Sequence, residues 1–211
     1  MIVHDCVQYS LVWWEARRGI ATASCAESLV TPANGKLSAS AKPYACELLA
    51  QRLTPGQYWL EQTDVQSTAM ANGTAMEPEA RAYAALQRGI EVEEVGFVTT
   101  DCGRFGCSPD GLYTGHRRGL EIKCPLMKTH IGYLIDGVLP AKYKPQIHFS
   151  LVVTGAEAWD FLSYCPGLPP LFLTVEPDAY TLAVKSAMES FGELYASIAK
   201  KLGVEAQARA L

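Results

Sequence analysis

From residue 120 to residue 124 the chain reads Leu-Glu-Ile-Lys-Cys, apolar and charged by turns. A period of two is that of a strand, with Leu120, Ile122 and Cys124 on one face and Glu121 and Lys123 on the other. Residues 8–18, 41–53, 142–153 and 178–202 read as helices, the last of them amphipathic. A further helix is expected to start near Thr22 to Ser24, where Ser24 with Glu27 three residues on has the form of a capping box. Residues 63–88 read as helix with a break near Gly73 or Pro78, because proline lacks an amide donor and strains a helix interior. Residues 92–100, 104–108 and 120–124 read as consecutive strands, and 158–164 and 171–176 as two more. Helices on both sides of a strand-rich centre predict an α/β fold, a mixed central sheet flanked by helices.

Length and composition change that picture little. At 211 residues and 49% apolar, the chain can bury a sizeable core, and one domain over residues 1–211 is expected. No internal repeat or low-complexity run divides it. The N-terminus has no charged stretch followed by an apolar one, and no run of about 18 apolar residues occurs, so neither export nor membrane insertion is expected. Seven cysteines without Cys-x-x-Cys spacing suggest reduced, mostly buried thiols in a cytoplasm.

The net charge of −4 is unpromising for a nucleic-acid partner, but its distribution is uneven. Residues 102–150 hold seven basic and three acidic side chains, a local +4 on a body of −8. A cationic face on an acidic body suits a protein that holds one duplex end. No Gly-x-x-x-x-Gly-Lys-[Ser/Thr] occurs, since Gly35-Lys36 lacks the upstream glycine, so ATP is not expected.

The candidate chemistry lies at residues 108–124. Ser108-Pro109-Asp110-Gly111 reads as a strand end entering a turn, because proline cannot continue a central ladder and Asp-Gly favours turn geometry. A hairpin through residues 114–119 would bring Asp110 beside Glu121 and Lys123. Two carboxylates and an ammonium at one point are what a Mg²⁺ site for phosphodiester hydrolysis needs. The carboxylates bind the hard cation, the cation lowers the pKa of a bound water, and the lysine holds that water or balances charge. The competing reading is an edge strand with its charges in water, and Glu-x-Lys alone does not choose between them. Near the N-terminus, Arg17 and Ser24 can be read as a helix end and an N-cap, or together with free helix-start amides as a phosphate cradle.

Four ordered segments carry a resemblance over residues 13–154, about two thirds of the chain. They are Trp13-Trp14-Glu15-Ala16-Arg17-Arg18-Gly19 with Thr22-Ala23-Ser24, Gly73 to Arg81 with Glu77-Pro78-Glu79-Ala80-Arg81, Ser108-Pro109-Asp110-Gly111-Leu112 with Gly119-Leu120-Glu121-Ile122-Lys123-Cys124-Pro125, and Tyr143-Lys144-Pro145-Gln146. In this order they resemble the bacteriophage lambda exonuclease family of the PD-(D/E)xK nuclease superfamily, which implies a restriction-endonuclease-like core. The resemblance implies Asp110, Glu121, the Ile122 carbonyl and Glu77 as holders of one or two Mg²⁺, with Mn²⁺ a possible substitute. It implies Lys123 at the attacking water and Gln146 bordering the site. It also implies Arg17, Ser24 and Ser108 on a terminal 5′-phosphate, while Lys142 and Lys144 are general DNA contacts. The activity implied is 5′-to-3′ digestion of duplex DNA ends to 5′-mononucleotides, leaving 3′ tails for a phage single-strand annealing protein, by a ring-shaped homotrimer. Another PD-(D/E)xK nuclease, or a non-catalytic DNA-end-binding protein, are the alternatives. An iron–sulfur cluster is not expected, because only Cys165 follows Pro125. His148 receives no role, His4, His116 and His130 are read as surface or core residues, Trp13 and Trp14 as helix packing, and Arg18 as a solvated helix end.

Overall fold

The computed structural model describes residues 1–54 and 68–204, except for the side chains of 68–74. The elements in chain order are β1 (Ile2–His4), α1 (Leu11–Arg17), β2 (Ala21–Thr22), a 3₁₀ turn at Ala23–Cys25, α2 (Ala26–Leu29), α3 (Ala41–Leu53), α4 (Thr68–Arg88), β3 (Val92–Glu93), β4 (Phe97–Thr99), β5 (Phe105–Cys107), β6 (Gly111–Tyr113) and β7 (Arg118–Lys123). There follow α5 (Met127–Asp136), a 3₁₀ turn at Ala141–Tyr143, α6 (Lys144–Thr154), β8 (Ala158–Ser163), β9 (Leu171–Val175) and α7 (Ala179–Lys201).

The alternating segment lies at the centre of a five-stranded mixed sheet ordered β3-β6-β7-β8-β9. β7 pairs antiparallel with β6, Gly111 opposite Leu120, and parallel with β8, Arg118 opposite Ala158 through Lys123 opposite Ser163. All six residues of β8 are buried, as a strand covered on both faces requires. Ala80 and Ala84 of α4 pack with Leu120, Ile122 and Leu162 on one face. Phe161 joins the larger core that α6 and α7 build with Ile147, Phe149, Met188 and Phe191. Gly119 is required by this packing, since a Cβ there would lie 2.3 Å from the buried Trp159 ring. A second sheet, ordered β1-β4-β5-β2, carries the N-terminal segments. The fold is therefore the α/β arrangement with helix-flanked mixed sheets that the pattern predicts, although the strands divide between two sheets.

Several elements differ from the sequence reading. The strand expected at 92–100 is two, with β3 in one sheet and β4 in the other. Gly96 lies between them, where a Cβ would fall 1.8 Å from the Cys6 carbonyl oxygen, so the backbones meet too closely for a side chain. β1, β6 and α5 were not anticipated. The chain runs from Asp110 directly into β6 and turns only after Tyr113. α1 begins at Leu11 because the Ser10 hydroxyl caps it, accepting from the Trp13 amide. No capping box forms at Ser24, which sits in a 3₁₀ turn. The box lies instead at Asp178 and Thr181, which exchange side-chain and backbone bonds at the start of α7. α4 runs unbroken through Pro78. The expected helical residues 63–67 lie outside the described residues. Thiols are also more exposed than expected: Cys107 and Cys165 are buried, but Cys25, Cys46 and Cys102 reach solvent. Among the described residues, no helix is long and apolar enough to cross a membrane.

Candidate active site

The β6–β7 hairpin sets Asp110 by backbone and side chain together. The Asp110 amide donates to the Leu120 carbonyl at 3.1 Å, and its carboxylate accepts from the Ile122 amide at 2.6 Å. In an extended strand a residue's N–H and C=O point to the same edge, so the Ile122 carbonyl faces the edge that Asp110 occupies. Its neighbour behaves oppositely, the Lys123 carbonyl accepting from the Tyr164 amide beyond β8. Arg81, on α4, donates to the Asp110 carbonyl at 2.8 Å and pairs with Glu94 at 2.6 Å.

Glu121 is 2% exposed, on the sheet face covered by α6. There its Oε1 takes the Lys123 ammonium at 2.5 Å and the Gln146 amide at 2.6 Å. Burial pushes the Glu121 carboxyl up to about 7, with the Asp110 charge adding and Lys123 and Gln146 opposing. Burial likewise raises Asp110. Glu77, one turn before Arg81 on α4, is raised by burial first and then by the Asp110 charge. Burial alone would lower Lys123, but the Glu121 and Asp110 charges hold it above the ordinary range.

Hard oxygen donors held close in a place where their charge is disfavoured fit a divalent cation, which would relieve that cost. Among the described residues no three acid, thiol or imidazole groups close into a cage. Asp110, Glu121 and the Ile122 carbonyl are donors of the kind Mg²⁺ accepts while keeping several waters.

A second cluster lies two residues before Asp110. Arg17, the last residue of α1, donates to Ser108 Oγ at 2.9 Å, Ser24 Oγ at 3.0 Å and Thr22 Oγ1 at 3.4 Å. The guanidinium also sits 4.2 Å over the Trp13 ring. Burial lowers the Arg17 pKa from its ordinary value, so its charge lies where an anion is welcome. Three hydroxyls and a guanidinium thus converge, bringing together Arg17, Ser24 and Ser108.

A recess of about 460 Å³ adjoins this cluster, lined by Ser24, Glu27, Lys142, Tyr143 and Gln146 among others. It connects the arginine cluster to the carboxylates through Gln146. Lys142 stands over the Tyr143 ring at 4.7 Å. Lys144 lines no part of it and lies 4.1 Å over the Tyr180 ring. The cationic face expected over residues 102–150 is broken up. Arg117 pairs with Glu157, Arg118 binds the buried Asp160 at 2.7 Å, and Arg104 lies against Gly192 of α7. Arg18 is not a solvated end either, since it holds Glu15 at 3.1 Å and the Thr54 carbonyl at 3.3 Å. Buried His148 joins α6 to α7 through Thr181 at 2.8 Å.

Four residues at the site were given no part in it by the sequence, Trp13 being read as helix packing and the other three left without a role. Trp13 donates its indole N–H to the Gly96 carbonyl and to Ser108 Oγ, both at 2.9 Å. Gln8 donates to the Pro109 carbonyl at 2.8 Å and the Val95 carbonyl at 3.0 Å. Arg81 supports Asp110, and the Tyr143 ring lies 5.3 Å from the Lys123 ammonium. The spacing of Glu77 and Arg81, four apart on one helix, was a signal for Arg81. No local pattern marks Gln8, whose partners are 87 and 101 residues away.

The fold has solved counterparts. An alkaline exonuclease from Laribacter hongkongensis, LHK-Exo, is 30% identical, with a TM-score of 0.70 over 92% of this chain and 98% of that one. The same protein solved in complex with dAMP gives a TM-score of 0.71 at 30% identity, with the same coverage. A phage-related exonuclease from Haemophilus somnus 129PT, at 12% identity and a TM-score of 0.60 over 87% of this chain and 96% of that one, shares the fold. A comparison with curated proteins found no match. Residues 12–157, which span both clusters, match the YqaJ-like viral recombinase domain. With the lambda-exonuclease-like motifs in place on that fold, the chain belongs to the YqaJ-like viral recombinase family.

Proposed function

We propose that the chain is a Mg²⁺-dependent exonuclease that digests the 5′-terminated strand at duplex DNA ends. It releases 5′-mononucleotides and leaves 3′ single-stranded tails for a phage-type annealing protein. The observation that carries this reading is that Arg17, with Ser24, closes on Ser108, two residues before the Asp110 that meets the strand carrying Glu121 and Lys123. Two residues of extended chain span about 7 Å, which suits one nucleotide held between a terminal phosphate and the bond to be cut. The 30% identical relative named as an alkaline exonuclease, solved also in complex with dAMP, supports it.

In this reading Asp110, Glu121, the Ile122 carbonyl and Glu77 hold one or two Mg²⁺, with Mn²⁺ able to substitute. The ion, when bound, supplies Lewis-acid stabilisation and an acidified water. Lys123 orients the attacking water and balances charge at Glu121. Gln146 holds the Glu121 carboxylate in place against α6. Arg17, Ser24 and Ser108 take the 5′-phosphate, and Lys142 and Lys144 hold the strand less specifically. A single domain over residues 1–211, three copies in a ring, no requirement for ATP and work in the cytoplasm of a bacterial or phage-infected cell complete the proposal.

A linear duplex labelled separately at each 5′ and 3′ end tests polarity. The 5′ label should leave first, as mononucleotide, and a covalently closed circular duplex should survive. Cutting of the circle would make the protein an endonuclease, and early release of the 3′ label would reverse the polarity.

The raised Glu121 pKa gives the reaction a pH signature. Metal binding needs the carboxylate, so at limiting Mg²⁺ the rate should fall about tenfold per pH unit below about 7. Saturating Mg²⁺ should move that fall to lower pH. Stability runs the other way without metal. A carboxyl whose folded pKa exceeds its unfolded value favours the folded state at low pH, and that contribution is lost as pH rises towards 7. Mg²⁺ should therefore raise the melting temperature more at pH 8 than at pH 6. A rate that is flat from pH 6 to 8 at limiting Mg²⁺ would remove Glu121 from the metal site.

A further inference from the structure

Along α4, residues 77, 81, 84 and 88 recur at the spacing that puts side chains on one face of a helix. That face meets the sheet. Ala84, with Ala80, packs on Leu120, Ile122 and Leu162, Arg81 reaches the Asp110 carbonyl, and Arg88 reaches Asp160 on β8. Burial and then the Asp110 charge raise the Glu77 carboxyl while Arg81 and Lys123 lower it, so Glu77 stands near all three.

Ala80 and Ala84 are fully buried, which brings α4 close to the sheet. Their methyl groups interlock with few neighbours, so they resist a slide of the helix along its axis only weakly. Tyr83 adds looser ring contacts, 6.5 Å from Tyr164 and 6.2 Å from Phe172. Hydrogen bonds are directional and hold a position better. For α4 they are Arg81 on the Asp110 carbonyl at 2.8 Å, the Tyr164 hydroxyl on Glu79 at 2.6 Å, and Arg88 on Asp160. The last ends on a carboxylate with no solvent exposure. There Arg88 Nε donates to Oδ2 at 2.8 Å and Nη2 to Oδ1 at 2.6 Å, a two-point grip that fixes orientation as well as distance.

We propose that Arg88, through its two bonds to Asp160, positions Glu77 at the metal ligands, a role that rests on the reading of Glu77 as a holder of Mg²⁺. The two residues are about 16 Å apart along the helix axis, so Arg88 is a positioning residue and not a catalytic one. Asp160 serves as the fixed point, since Thr174 of β9 donates to it at 2.9 Å and Arg118 of β7 at 2.7 Å. Loss of Arg88 therefore leaves the buried carboxylate paired, and the fold should survive it. Arg118 supplies the control. It binds the same Oδ1 and is 27% exposed against 29% for Arg88, but its bond joins β7 to β8 rather than α4 to β8.

Calorimetric titration of the full chain with Mn²⁺, without DNA, tests the proposal. Arg88→Met should weaken binding about tenfold, the scale on which groups behind a metal ligand act. Arg118→Met, with the same loss of charge, should leave it unchanged. Glu77→Gln should weaken binding at least as much as Arg88→Met, and the double variant should lose less than about twofold beyond Glu77→Gln, because both changes act at one position. Equal losses in Arg88→Met and Arg118→Met would overturn the proposal, making the effect one of charge or stability. Losses that multiply in the double variant would overturn it too, by separating Arg88 from Glu77. A loss in Glu77→Gln with none in Arg88→Met defeats the proposal alone, whereas wild-type binding by Glu77→Gln removes Glu77 from the metal site and the proposal with it. Should Arg88→Met fail to fold, Arg88→Lys keeps the charge without the two-point grip. It should show a smaller loss of the same kind, and wild-type Mn²⁺ binding by that variant would be equally decisive against Arg88.

Discussion

Alanine at Asp110, Glu121 or Lys123 is expected to abolish Mg²⁺-dependent digestion while the protein stays folded. Each power of ten in rate corresponds to about 1.4 kcal/mol of barrier, and loss of a metal ligand or of the water-orienting group should cost several. The fold should survive because the hairpin does not depend on these charges. Its ladder is carried by β6 and β8 on either side of β7. Glu121→Ala removes a carboxyl whose charge burial already disfavours and leaves the partly exposed Lys123 with Asp110 as its remaining counter-charge, so it should cost the metal-free protein less stability than Lys123→Ala. Lys123→Ala is less benign, since it leaves Glu121 buried beside Asp110 without its counter-ion. Glu121→Gln with Lys123→Ala should recover that stability but not the activity. Single-turnover digestion, with circular dichroism melts of each variant, measures both. A near wild-type rate in any single variant would take that residue out of the mechanism.

Arg17→Ala should slow digestion of 5′-phosphorylated ends strongly and of 5′-hydroxyl ends much less. The guanidinium already points at three hydroxyls from two separate segments, so a phosphate would enter a preformed set of donors. Charge-assisted bonds of that kind are directional and stronger than diffuse contacts with the backbone of a duplex. Removing Lys142 should instead weaken binding to all DNA and flatten its salt dependence, because that lysine is exposed at the edge of the recess. Equal losses on both kinds of end would make Arg17 a general backbone contact or a folding residue. Its stacking on Trp13 makes the second of these a real competitor, and the melt of Arg17→Ala distinguishes them.

What was legible in the chain was mostly local. The alternation at 120–124 sets Glu121 and Lys123 on one face, and strand periodicity needs no tertiary context to do so. α3 falls on its expected bounds because nothing competes with its helical pattern. The segments that escaped depend on distant partners. β1 is three residues on a sheet edge, with its partner nearly a hundred residues away. The apolar run at 92–100 looks continuous until Gly96 meets Cys6, which no periodicity reports. α5 hides because Met127, Ile131 and Ile135 form a stripe that faces solvent rather than core. The cluster of Arg17, Ser24 and Ser108 was named from the family resemblance, and Trp13, which anchors Ser108, looked like packing alone.

The short link from Ser108 to Asp110 is pinned at every residue. Trp13 and Arg17 grip Ser108, Gln8 grips the Pro109 carbonyl, and Arg81 with the Ile122 and Leu120 backbone grips Asp110. If Ser108 and Arg17 hold a terminal phosphate as proposed, such a link would act as a ruler rather than a reader. It would meter a fixed length of backbone from that anchor, because its grips are bonds within the protein and leave the bases unread. Under the proposed function, the enzyme would then advance by equal increments whatever the text of the strand.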